Sequence, residues 1–179
     1  MSDHTRELSM PVGAQDHVLG PANAPVTLLE YGDYECPYCA KAFPVVKRLA
    51  ADFGPKLRVV FRHFPQNSVH PQAGVAAQVA EAAAAQGKFW EMHDLLYENQ
   101  EKLAEIDFTH FALKLGLEVY RFQSDLEREI FAPHVAEDFR GGLRSGVSGT
   151  PAFFINALRY EGEPVFEPMR EAIEPAAAG

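Results

Sequence analysis

Apolar residues gather in short runs whose spacing changes along the chain. VTLLEYG (26–32) is a continuous apolar, β-leaning run after Pro25, which predicts a buried strand. In the stretch that follows, CPYCAKAFPVVKRLAADFG, the positions Cys39, Phe43, Val46, Ala50 and Phe53 recur at spacings of 4, 3, 4 and 3, one face of a helix. Gly54-Pro55 ends that helix. Pro44 lies inside it and is expected to kink it, because it removes a backbone donor and crowds the preceding turn. LRVVFRHF (57–64) predicts a second buried strand. Strand, helix, strand is a βαβ unit, so the two strands are expected to run parallel.

From Pro65 to Gly146 the strand signal disappears. QAGVAAQVAEAAAAQG, KFWEMHDLLYENQ, DFTHFALKLG, EVYRFQSDLEREI and APHVAEDFRGGLRSG each read as helix, with Pro133 near the start of the fifth. TPAFFIN (150–156) and LRYEG (158–162) then predict an antiparallel hairpin, and a short helix over 167–174 closes the chain. The expected organisation is a flexible tail at 1–11, an α/β domain from 12–64 and 147–179, and an all-α insertion at 65–146.

Composition narrows the classes. The 179 residues are 47% hydrophobic and 23% charged, enough apolar surface for a real core. The net charge is −9 and no Lys/Arg cluster stands out, which argues against nucleic acid and anionic membrane as partners. No apolar run reaches the roughly 18 residues that a membrane span needs. The polar N-terminus lacks an apolar h-region, so a cytoplasmic location is expected, or an extracytoplasmic one if a leader has been trimmed away.

The two cysteines, Cys36 and Cys39, stand three apart. The spacing alone admits metal ligands, a structural staple or a reacting pair. A permanent disulfide is disfavoured in a reducing compartment. Structural zinc wants four ligands, and there is no second cysteine pair; His63 and His70 lack finger spacing. The seven histidines, His4, His17, His63, His70, His93, His110 and His134, are scattered, and each is read as structural or exposed, with His63 the foremost outside candidate for the site. Phe89, Trp90, Phe108 and Phe111 are read as helix-packing residues. Asp33 and Glu35 beside the pair are read as solvated; if they act, they oppose the helix dipole and raise the Cys36 pKa.

Taken together, the pattern resembles the DsbA-like form of the thioredoxin-fold thiol:disulfide oxidoreductases. Cys36-Pro37-Tyr38-Cys39 opens a helix after a buried strand. Pro44 falls five residues past the second cysteine and Glu30 six before the first. Gly149-Thr150-Pro151 is similar to the loop in which that family carries a cis-proline facing the cysteines. FRHFP, GKFWEMHDLLYENQ and SGVSGTPAFFIN look like a bacterial branch of the family, and the similarity runs from about Asp16 to Ile173. There are departures. Pro37-Tyr38 is the glutaredoxin-type dipeptide. Asn156-Ala157 stands at the hairpin turn where many relatives have Asn-Gly, and Ala tolerates positive φ poorly. Most relatives are exported.

The resemblance implies a thioredoxin-like α/β fold with an all-α insertion, and dithiol chemistry without metal or organic cofactor. At a helix N-terminus the Cys36 thiolate is favoured by free N–H groups and the dipole, with a pKa expected between about 3.5 and 7.5. Cys39, on the apolar face, is expected to be buried with a high pKa. Cys36 would then attack the partner and Cys39 resolve the mixed disulfide. Pro151 is expected cis, Thr150 to pair with the substrate backbone, and Glu30 to relay the Cys39 proton. Tyr38 brings a phenol and no positive charge, so the couple is expected to be less oxidising than DsbA and more oxidising than thioredoxin. Protein thiols and disulfides, or glutathione as electron donor, are the expected partners. The rivals are a glutathione-linked, glutaredoxin-like reductase and, outside redox enzymes, a substrate-binding or chaperone-like module. The insertion is read either as one wall of a substrate groove or as a stabilising cap.

Overall fold

The computed structural model describes residues 7–179. Among these, five strands form one mixed sheet in the order β1-β3-β2-β4-β5. β2 (Val26–Gly32) and β3 (Leu57–His63) are its centre, and they pair in parallel with Glu30 beside Phe61 and Gly32 beside His63. Both strands are buried over most of their length, which is why they read as continuous apolar runs rather than alternations. β4 (Ala152–Ile155) pairs antiparallel with β2, and β5 (Leu158–Tyr160) with β4. β1 (His17–Leu19) adds an antiparallel edge on β3. It went unseen in the sequence because three residues carry no period.

α1 (Pro37–Phe53) crosses from β2 to β3. Its buried positions are Cys39, Ala42, Val46 and Leu49, so the expected face is rotated: Phe43, Ala50 and Phe53 are half-buried instead. The helix serves two partners. Ala42, Val46 and Leu49 pack on the sheet with Met169 and Ile173 of α7 (Phe166–Ala177), whereas Cys39 and Phe43 face the helical insertion. Pro44 lies exposed inside α1, and its missing N–H leaves the Ala40 carbonyl without a helical donor.

The insertion contains α2 (Ala73–Ala84), α3 (Phe89–Glu98), α4 (Thr109–Lys114), α5 (Val119–Glu127) and α6 (Ala132–Arg144). It does not build a core of its own. Most buried apolar residues of α2 to α5 form one cluster with Tyr34, Cys36, Cys39 and Phe61 of the α/β domain, and Phe139 of α6 packs against the other face of the sheet. Phe89 is buried in that cluster and Trp90, Phe108 and Phe111 pack against it. α6 comes close to β3 because Gly142 has no side chain: a Cβ there would meet Phe64 at 2.6 Å.

The flexible tail expected at 1–11 is corrected for residues 7–11; the rest of it lies outside the described residues. Leu8 N–H donates to the Ala157 carbonyl at 2.8 Å, and Ser9 N–H to Ser145 Oγ at 3.0 Å. Buried Arg62 donates to the carbonyls of Met10 and Pro11 and forms a salt bridge with Asp16 at 2.7 Å. The hairpin turn takes positive φ at both central residues, 46° at Asn156 and 69° at Ala157, as a type I′ turn requires. Asn156 tolerates this and ties the turn to β2, its Oδ1 accepting from Thr27 N–H at 2.8 Å; Ala157 adopts it against its own preference.

Candidate active site

α1 begins where the chain leaves β2, and Cys36 is its N-cap residue, with extended φ and ψ of −73° and 121°, followed by Pro37 at the first helical position. The sulfur therefore stands where a capping oxygen would, at the free N–H groups of the first turn. The Cys36 thiol is lowered to about 5. The largest cause is a hydrogen bond from the Cys39 side chain; burial opposes it, and the Thr150 side chain and the Cys39 and Tyr38 N–H groups add to it. When protonated, Cys36 Sγ donates to the Thr150 carbonyl at 3.4 Å. That bond favours the thiol, but the donors outnumber it. The Thr150–Pro151 peptide bond is cis, and the turn of chain before β4 carries it against the cysteines.

Cys39 is fully buried, and its thiol is pushed well up by burial, by hydrogen bonding to Cys36, and by the charges of Glu30 and Cys36. The two sulfurs thus differ sharply although three residues apart. Pro37 and Tyr38 between them are exposed, Tyr38 at 66%, with the Lys41 ammonium 5.6 Å from its ring centre.

Glu30 of β2 is buried beneath the pair. Burial, then the Cys36 charge, raise its carboxyl to about 8, so it is largely protonated at neutral pH. Among the described residues, Glu30 Oε1 and Tyr97 Oη are buried without a hydrogen-bond partner. An orphaned acid costs stability unless something else uses it. A cavity of about 170 Å³ adjoins Glu30, lined by Phe43, Val46, Trp90 and His93, with Lys47 and Asp94 ion-paired on it.

The solvated reading of Asp33 and Glu35 is corrected. Asp33 is buried; its carboxylate accepts from Glu35 N–H, Gln66 N–H and His70 Nδ1 at 2.8 to 2.9 Å. Glu35 accepts from Gln72 N–H at 2.6 Å. Both acids pin the segment entering α2 to the cysteine loop, and neither is among the causes acting on the Cys36 thiol. Gln100 closes the loop from the other side, its Nε2 donating to the carbonyls of Tyr34 and Cys36 at 2.8 Å each. Sequence reasoning missed Gln66, His70 and Gln100, because a lone amide or imidazole inside a helical or loop run carries no local signal.

His63 does not reach the cysteines: it is buried with Nε2 on Glu81 at 2.7 Å. Burial lowers its pKa, but the Glu81 hydrogen bond and charge raise it further. His93 is also buried, accepting from Tyr34 Oη at Nδ1 at 2.9 Å; burial drives its pKa down to about 3. Three of the histidines, far apart in sequence, meet in space: His17, His63 and His134 converge on Glu81.

A groove of about 640 Å³ runs beside the site between the strand-exit segment Phe64–Ser68 and α6. Phe64, Val135, Phe139 and Leu143 make its floor apolar. Gln66 in its wall reaches Thr150 Oγ1 at 3.5 Å.

Comparison with known proteins agrees with this architecture. The family model described as thioredoxin matches residues 13–175. BdbD from Bacillus subtilis superposes with a TM-score of 0.83 over 97% of this chain and 99% of its own, at 22% identity. A thioredoxin-like oxidoreductase from Silicibacter pomeroyi is 27% identical, with a TM-score of 0.76 over 93% of this chain and 95% of its own. DsbA2 of Pseudomonas aeruginosa is 25% identical, with a TM-score of 0.74 over 92% and 96%. Among curated proteins, the chain is 47% identical over its whole length to 28% of a Salinispora arenicola protein named Na(+)/H(+) antiporter NhaA 1. It is 45% identical to 26% of the Salinispora tropica antiporter NhaA 3. The chain thus spans about a quarter of these relatives. On the family match and the superposed fold, the chain belongs to the thioredoxin family, in its DsbA-like form with a helical insertion.

Proposed function

We propose that this chain is a thiol–disulfide oxidoreductase that exchanges its Cys36/Cys39 pair with protein substrates. Its structural neighbours include a thioredoxin-like oxidoreductase from Silicibacter pomeroyi and a thiol-disulfide oxidoreductase from Corynebacterium diphtheriae, and the observation that carries the reading is the asymmetry of the two sulfurs. Cys36, at the helix N-terminus, is a thiolate at neutral pH; Cys39, three residues on, is a buried thiol. In the reductive direction the Cys36 thiolate attacks a substrate disulfide, forming one S–S bond and releasing one substrate thiolate. Cys39 then loses its proton and attacks Cys36 Sγ. The Cys36–Cys39 disulfide forms, the mixed disulfide breaks, and the second substrate thiolate leaves. Two electrons pass to the substrate, and the reverse sequence oxidises it.

The proton of Cys39 needs an acceptor inside the protein. In the mixed disulfide Cys36 carries no charge, so one of the two causes that raise Glu30 is gone, and its buried carboxyl, beside a cavity through which water can reach it, can ionise and take that proton. Thr150 offers its backbone beside Cys36 to an extended substrate, and Pro151 keeps the loop in place. The apolar groove next to Gln66 favours a polypeptide over a small thiol as the substrate; glutathione would resupply the electrons. The reaction draws only on the two sulfurs and needs no organic cofactor.

Insulin reduction tests the reading. Cys36→Ser should abolish it, and Cys39→Ser should accumulate mixed disulfides that separate on a non-reducing gel. Activity that survives Cys36→Ser overturns the dithiol mechanism in favour of a binding module with incidental cysteines.

Curated relatives named as Na(+)/H(+) antiporters carry a segment like this chain within a much longer protein. A second reading follows from that: a cysteine-bearing membrane transporter is among the substrates. Capture of such a protein by the Cys39→Ser variant supports it; a trap that holds only water-soluble proteins argues against it.

A further inference from the structure

Away from the cysteines, four elements converge on one carboxylate oxygen. Glu81 of α2 is buried, and its Oε1 lies 2.7 Å from His17 Nε2 of β1, 2.7 Å from His63 Nε2 of β3 and 3.6 Å from His134 Nε2 of α6. An oxygen with two lone pairs can accept from two of these donors; the third imidazole, of partly exposed His134, stands just beyond hydrogen-bonding distance of Glu81 and of Asp138. The ligating atoms of His17, Glu81 and His134 all lie within 4.8 Å of one another.

We propose that His17, Glu81 and His134 form a binding site for a divalent transition metal of the zinc class. Two imidazole nitrogens and one carboxylate oxygen are the donors such ions take; calcium prefers six to eight oxygens. On one ion, neighbouring ligands at about 2.0–2.2 Å from the metal sit somewhat farther apart than a hydrogen bond, so small side-chain rotations suffice. The surroundings hold the ligands in place, as outer residues do in metal sites. The His17 ring stacks on Phe89 with centroids 3.7 Å apart. His63 fixes Glu81 from the sheet side. Asp138 Oδ2 lies 3.7 Å from His134 Nε2 and accepts from His63 N–H at 3.0 Å. His134 and Asp138 also line a cavity of about 280 Å³ beside Met10, Gly13 and Asp16, which gives the ion a way in and water room as a further ligand. Bound there, the ion staples β1 and α6 onto α2 without touching sulfur.

The chain holds its own reporter. Trp90 is the single tryptophan; it packs edge-on against Phe89, centroids 5.0 Å apart, and Phe89 in turn stacks on His17. The test uses the Cys36→Ser/Cys39→Ser protein, which removes thiol ligands, titrated separately with Zn²⁺ and Co²⁺. The expected result is one equivalent bound, a higher melting temperature, quenching of Trp90 by Co²⁺, and a cobalt spectrum without sulfur charge-transfer bands. Excess Ca²⁺ should not displace the ion. His134→Ala, at a partly exposed position, should weaken binding about tenfold or more while leaving disulfide exchange of the cysteine-containing protein unchanged; His17→Gln should do the same if His134→Ala folds poorly. Absence of stoichiometric binding, binding that both variants leave intact, or a preference for Ca²⁺ would each overturn the proposal.

Discussion

Cys36 owes its acidity to position more than to charge. Its sulfur takes the place of a capping oxygen and collects donors from the first turn and from Thr150. The thiolate absorbance near 240 nm should therefore titrate with a midpoint of about 5, and Cys39→Ala, which removes the largest contribution, should move it upward. A thiolate about two units below neutral pH stabilises the dithiol by at most roughly 60 mV, less what solvent screening removes. The reduction potential is thus expected between those of thioredoxin and DsbA, about −270 and −120 mV; a glutathione titration landing at either extreme contradicts this. Glu30 titrates in the opposite sense to a paired acid. Its folded value of about 8 lies above the 4.5 of the unfolded chain, so its contribution to stability is full below 4.5 and is lost as pH rises through 8. Glu30→Gln should flatten that decline and stabilise the protein at pH 8 by a few kcal/mol, seen as a denaturation midpoint that no longer drifts across this window. It should also slow release of the mixed disulfide. The places of Cys36, Cys39 and Glu30 were legible in the sequence because each sits at a fixed offset within the cysteine motif. Asp33 and Glu35 were misread because nothing nearby in sequence shows that Gln66, His70 and Gln72 return to them.

Among the elements, long periodic segments were readable and short or shared ones were not. The central strands, α1, the five insertion helices and the hairpin fall where apolar spacing and Gly/Pro punctuation put them. β1 escaped because pairing with β3, not its own pattern, makes it a strand. The apolar face of α1 was rotated because the helix answers to a sheet on one side and an insertion on the other. The hairpin shows a local rule broken and tolerated. Ala157 holds a φ of 69°, a conformation that costs a non-glycine residue about 1–2 kcal/mol. Ala157→Gly should raise unfolding free energy by about 1 kcal/mol, the strain relieved less the backbone entropy that glycine adds. Chemical denaturation reads this directly, with thiol exchange unchanged.

At the scale of the molecule, the N-terminal segment and the insertion are both fastened to the sheet. Arg62 is 5% exposed and spans Asp16, Tyr31 and the carbonyls of Met10 and Pro11. Asp16→Ala leaves that guanidinium buried and unpaired, and should cost about 3–5 kcal/mol, measurable as a loss in thermal midpoint. None of this long-range wiring shows in a single sequence, since its partners lie tens of residues apart.

The shared core has a consequence for how this unit travels. Cys36 and Cys39 lie in the same packed cluster as the side chains of the insertion, so excising the helices would strip the wall from behind the sulfurs rather than leave a minimal enzyme. Melting should be one cooperative event. The two parts are therefore expected to fold only together. The Salinispora arenicola relative carries a segment aligned with this unit from end to end, in a protein more than three times as long.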